Sequence, residues 1–113
     1  MKNGTAPIPE NEVKRTCLEY LTLQGIYAWI NNTGALPAGD KRFIRFGHPG
    51  SSDIIGILPG GRFLAVECKS NTGRLSEAQE EFLAAVRANG GLAVVARSYE
   101  DIAEALHGAG YIR

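Results

Sequence analysis

Asp53 and Glu67 stand at opposite ends of the stretch "DIIGILPGGRFLAVECK", residues 53–69, and Lys69 follows two positions after Glu67. Two apolar runs flank the break Pro59-Gly60-Gly61. If those three residues form the connection, Leu58 faces Arg62, and counting outward puts Asp53 directly opposite Glu67. Opposed residues share a face of the sheet, with Cβ atoms about 4.5–5.5 Å apart. The period of two places Lys69 on that face as well. Two carboxylates so close repel each other unless a cation lies between them or one takes up a proton. A divalent hard cation answers that need, and oxygen donors suit Mg²⁺ or Mn²⁺. A connection one residue shorter or longer would offset the pair. Each acid paired singly with Lys or Arg at a sheet edge would instead be structural.

Two further side chains fall near these acids by spacing. Glu10 lies three residues before Val13 and seven before Cys17, at the start of the apolar stripe of a first helix. An acid there either complements the helix dipole or points inward as a ligand. Gln79 shares a helix face with Phe82, Leu83 and Val86, so its amide is expected toward the sheet. It also stands three residues after Ser76, where a capping box would use it.

The elements that must position these groups can be read along the chain. "ENEVKRTCLEYLTLQG" has helical spacing, with Val13, Cys17, Leu21 and Gln24 on one stripe and Gly25 as the stop. Glu12, Thr16 and Glu19 form its solvated face. "IYAWI" reads as a strand, "NNTGALPAGDK" as a polar Gly/Pro loop, and "RFIRF" as a strand. "GHPGSS" and "NTGRLS" are loops on either side of the 53–69 pair, whose runs look buried on both faces. Ser76 caps "EAQEEFLAAVRAN", Gly90-Gly91 end it, "LAVVA" is a short strand, and Ser98 with Asp101 opens a last helix to about His107. The order is α-β-β-β-β-α-β-α, a mixed α/β fold whose central sheet is flanked by helices.

At 113 residues the chain fits one domain, 1–113, with residues 1–8 as a flexible lead-in. Apolar content of 44% and charged content of 21% are those of an ordinary globular protein. No apolar run reaches the ~20 residues needed to span a bilayer, and no secretory signal is visible at the N-terminus. Cys17 and Cys68 lie in apolar contexts and read as buried free thiols, which suits a reducing cytoplasm. The net charge is zero but unevenly spread: nine basic residues face six acidic ones through residue 75, and three face six beyond it. A basic half carrying a few carboxylates suits a phosphate-bearing ligand near a metal.

The succession Glu10, "GSSDIIG", "VECK" and "LSEAQ" resembles the PD-(D/E)XK nuclease superfamily, and within it a stand-alone VRR-NUC domain. The likeness spans nearly the whole chain. It implies a restriction-endonuclease-like fold and a metal-dependent deoxyribonuclease. By position, Asp53 and Glu67 would bind the metal, assisted by the backbone carbonyl of Cys68, with Glu10 completing the acidic cluster directly or through water. Lys69 would orient or help deprotonate the attacking water, and Gln79 would support the site. Two departures from the pattern stand out. Ser52 replaces the usual Pro before the Asp, and Ile30 occupies a position where many relatives carry Arg.

DNA would be held through its backbone by Lys41, Arg42, Arg45 and Arg74, with Lys14 and Arg15 as weaker candidates. His48 is a lone loop histidine. Tyr27, Trp29 and Phe46 read as core or interface rather than base-stacking platforms. The resemblance further implies a homodimer acting on branched DNA, foremost the four-way (Holliday) junction, in a phage or mobile element. A flap or nicking nuclease, and a non-catalytic nucleic-acid binding module, are the competing readings. A small-molecule metal hydrolase fits least, for want of His-rich ligand spacing.

Overall fold

The computed structural model describes residues 8–112; most of the expected lead-in, 1–7, lies outside the described residues. The elements are α1 (Glu10–Leu23), β1 (Tyr27–Ile30), β2 (Gly34–Pro37), β3 (Phe43–Phe46), β4 (Ile54–Leu58), β5 (Arg62–Cys68), α2 (Glu77–Ala88), β6 (Leu92–Ala96) and α3 (Tyr99–Gly108). A four-stranded sheet has the order β1-β4-β5-β6, and β2 pairs only with β3 in a separate ribbon. The expected mixed α/β architecture is present. The exception is Gly34–Pro37, which the sequence reading placed in a loop and which forms β2. All four of its residues are exposed, so no alternation of burial marks the strand. Pairing to β3 alone makes it one.

Three adjacent strands run antiparallel, and β6 joins β5 in parallel. A parallel neighbour cannot be reached by a tight turn, and α2 supplies the crossover. Pro59–Gly61 makes the short connection between β4 and β5, with Gly60 and Gly61 at φ of 86° and 84°, a region glycine enters without steric cost. The resulting register is the one expected: Leu58 faces Arg62 and Ile54 faces Val66.

The core lies on both sides of the sheet. On one face Val13, Cys17 and Leu21 of α1 and Ile102 and Leu106 of α3 pack on Ile54, Leu58, Leu64, Val66 and Val94. On the other, Leu83 and Val86 of α2 cover Ile55, Ala65 and Ala93. That second cover is partial. Ile57 and Phe63, expected to be buried, are exposed because α2 lies over β5 and β6 and leaves the outer half of the sheet open. Tyr27 and Trp29 of the edge strand are exposed on the same face, and Phe46 is exposed on β3, so none of the three is a core residue.

Both cysteines are buried and free, as expected. Gln24, assigned to the apolar stripe of α1, caps the helix end and is exposed. No helix among the described residues is long and apolar enough to cross a membrane.

Candidate active site

The site forms where β4 begins and β5 ends. Asp53 lies one residue before the first paired position of β4, opposite the end of β5 where Glu67 sits. Its Oδ2 accepts the Cys68 backbone N–H at 2.8 Å, so the carboxylate itself closes the hairpin where the strand ladder stops. The segment before it is fastened to the end of β1. Asn31 N–H donates to the Asp53 carbonyl at 2.7 Å, and Asn31 Nδ2 donates to Ser51 Oγ at 2.7 Å and to the Ser52 carbonyl at 3.0 Å. Gly50, at φ 81°, presses this loop onto α2, where a Cβ would lie 2.5 Å from the Ala78 carbonyl oxygen. Only glycine fits there, and the contact brings the loop beside Gln79.

Gln79 performs both roles that its spacing allowed. Its Oε1 accepts the Ser76 N–H at 2.9 Å while Ser76 Oγ accepts the Gln79 N–H at 3.1 Å, a complete capping box. Its Nε2 donates to Glu67 Oε2 at 2.8 Å. The cap thus fixes the amide that holds the acid.

Glu67 is 1% exposed, and its Oε1 is buried without a hydrogen-bond partner. Burial, and then the negative charge of Asp53, push its carboxyl up to about 8; Lys69 opposes the shift and Glu10 adds to it. A buried acid raised this far holds a proton near neutral pH unless a cation replaces it. The orphaned oxygen beside a second carboxylate therefore fits a hard divalent cation. Among the described residues, no three His, Cys, Asp or Glu side chains gather closely enough to hold a metal ion. The acidic donors brought together are the pair Asp53 and Glu67.

Glu10 stands with Lys69 instead, its Oε1 3.7 Å from Nζ. A partner the sequence reading undervalued is Lys14, whose Nζ lies 3.7 Å from Asp53 Oδ1. One helical turn after Glu10, it shares that residue's face of α1, which the spacing shows, although its partner Asp53 is set by packing. Two cations from different elements thus flank the acids. Arg15 is bound to Glu12 and Glu19 on the solvated face of α1. Arg97 donates to the carbonyls of Ser70 and Gly73 and so braces the turn after Lys69, a role with no signal in spacing. Ser52 is fully buried with an unpaired hydroxyl.

Lys41, Arg42 and Arg45 lie exposed on the β2–β3 ribbon or its turn, and Arg74 is exposed in the loop before α2. His48 lies against the Phe82 ring, with centroids 5.9 Å apart. A surface groove of about 620 Å³ runs along α1 past Asn11, Lys14, Leu18 and Ile30 and does not contain the acid pair.

No curated protein and no solved structure gives a significant match to the chain. Among known domain families, the VRR-NUC domain matches residues 8–100, which covers every side chain of the acidic site. The chain belongs to the VRR-NUC domain family, related to the PD-(D/E)XK nucleases.

Proposed function

We propose that the protein is a divalent-metal-dependent DNA endonuclease that hydrolyses phosphodiester bonds, selects branched DNA and resolves four-way junctions as a homodimer. The observation that carries the chemistry is the buried Glu67 with its orphaned oxygen, set beside Asp53 and held by Gln79. Asp53, Glu67 and the Cys68 carbonyl would hold Mg²⁺ or Mn²⁺, with Glu10 acting through water or through Lys69. Such an ion supplies a nucleophilic water at neutral pH and charge relief at the phosphate.

The protein's own groups account for the remaining steps. The Lys69 side chain is 12% exposed and tethered to Glu10, so it presents a fixed ammonium at the site. It orients the attacking water, assists loss of its proton and offsets charge building on the phosphate oxygens. Water oxygen bonds to phosphorus, one phosphorus–oxygen ester bond breaks, and the products are a phosphate monoester and a hydroxyl. Lys41, Arg42, Arg45 and Arg74 hold the DNA through phosphates, which positions the strand without reading bases.

A single acidic pair in a small chain makes one cut. Two symmetric cuts across a junction require a two-fold pair of chains. The absence of a third gathered acid among the described residues favours a second reading, a binding module that keeps the fold without cutting. Incubation with labelled four-way junction, flap, nicked and linear duplex DNA in Mg²⁺ or Mn²⁺ separates the readings. The expected result is paired symmetric nicks on the junction. Cutting of flaps or nicked duplex alone would keep the nuclease and discard junction resolution; binding without any cutting would establish the module.

A further inference from the structure

The β2–β3 ribbon is the part of the chain that the acidic site does not explain. All eight strand residues are exposed. Leu36, Phe43, Ile44 and Phe46 are 58%, 66%, 60% and 42% exposed, an unusual load of large apolar side chains on one short hairpin. The register places Leu36 opposite Ile44 on one face and Pro37 opposite Phe43 on the other. Leu36, Ile44 and Phe46 share one face and Phe43 stands on the other, and exposed apolar surface of this extent marks a binding site.

Charge decides what binds there. Between Gly34 and Gly47 the charged residues are Asp40, Lys41, Arg42 and Arg45, three cations against one anion, all exposed. Two copies meeting ribbon to ribbon would oppose like charges, whereas a polyanion is attracted. The turn holds Lys41 at φ 62°, next to Asp40 at 45°, and is closed by the Ala38 N–H on the Arg42 carbonyl at 3.0 Å. Non-glycine residues rarely adopt that conformation, and such strain gathers at functional sites.

Position agrees with charge. The ribbon leaves the sheet after Asn31, which is bonded to the Asp53 carbonyl, and returns through the loop that ends at Asp53. Its root carries a cleft of about 270 Å³ lined by Thr33, Gly34, Ala35, Arg45, Phe46 and Pro49. Four residues per strand give it about 13 Å of reach, enough to cross a groove about 12 Å wide.

We propose that the β2–β3 ribbon is a DNA arm. Lys41, Arg42 and Arg45 hold backbone phosphates, and Phe43, flanked on its own face by Pro37 and Arg45, wedges against base faces left open where strands branch. Apolar wedges rimmed by Lys and Arg kink or unstack DNA in this way, and aromatic contact with a base contributes about tenfold or more in affinity. The inference rests on the nuclease reading and deepens it, because it assigns the choice of branched DNA to this arm.

The test is fluorescence anisotropy on four-way junction and linear duplex in EDTA, which prevents cutting, with sedimentation and thermal melting of the same samples. K41A/R42A is expected to weaken binding to both DNAs and to lower the salt slope by about two. Phe43→Ala is expected to weaken junction binding about tenfold and duplex binding less, with melting as in wild type. Wild-type junction affinity in Phe43→Ala would overturn the wedge. Unchanged binding by both variants would overturn the arm. If that unchanged binding came with dissociation of the protein, the ribbon would be a contact between copies. Failure of the wild type to bind any DNA would instead remove the nuclease reading itself.

Discussion

The molecule contains two antiparallel hairpins of similar apolar content and opposite fate. In β4–β5, ten of the twelve strand residues are buried or partly buried, with helices over one face and α2 over part of the other. In β2–β3 every strand residue is exposed. The difference is not in strand propensity, since "RFIRF" is as good a strand sequence as "RFLAVEC". It lies in what covers each hairpin, and in where charge is placed. The covered hairpin keeps acids only at its open end, where Asp53 and Glu67 meet. The uncovered one carries its cations at the turn and on β3. On the proposed reading, one hairpin builds the chemical site and the other meets the DNA.

The largest effect that would sharpen this contrast is on stability. Leu64 is fully buried at the centre of β5, so Leu64→Ala should cost about 2–5 kcal/mol by chemical denaturation. Leu36→Ala on the ribbon should cost under about 0.5 kcal/mol. Equal costs would mean that the ribbon folds back on the core.

The next effect concerns Glu67, whose ordinary value of 4.5 is raised to about 8. Below pH 4.5 the acid is protonated in both the folded and unfolded chain. As pH rises from there the unfolded chain ionises while the fold retains its proton, so stability falls until about pH 8 and the loss is then complete. Glu67→Gln escapes that loss. Without metal it should exceed wild type by roughly 2–4 kcal/mol at pH 8 and by little at pH 4. Divalent cation should shrink the gap by stabilising wild type alone.

A smaller loss is expected for Gly50→Ala, which combines positive φ with a collision against Ala78. It should cost about 1–3 kcal/mol and slow cutting, because the loop it displaces carries Asp53. Wild-type activity in that variant would detach the loop from the site. Smallest of all, Ser52→Ala removes a buried unpaired hydroxyl and should change stability by less than about 1 kcal/mol in either direction.

Much of the acidic site was legible because its geometry follows from local rules. The Pro-Gly-Gly turn fixes the β4–β5 register, and the register sets Asp53 against Glu67. The capping-box spacing placed Gln79, though not that one amide would serve both Ser76 and Glu67. Glu10 was placed on the right helix face, but its bond to Lys69 depends on how α1 lies against the sheet. The same packing decides the contact of Lys14 with Asp53. Strand β2 was missed because Gly, Pro and full exposure remove both propensity and period. Ile57 and Phe63 were misplaced, and Tyr27 and Trp29 are not core, because the reach of α2 across the sheet is a tertiary fact.

The central claim is that the Asp53–Glu67 pair is the catalytic centre, and Glu67→Gln tests it most directly. Its melting temperature without metal at pH 8 and its Mg²⁺-dependent nicking rate on a four-way junction should be measured beside wild type. A higher melting temperature together with a rate at least about 100-fold lower is the predicted result. Nicking at the wild-type rate by the folded variant would contradict it.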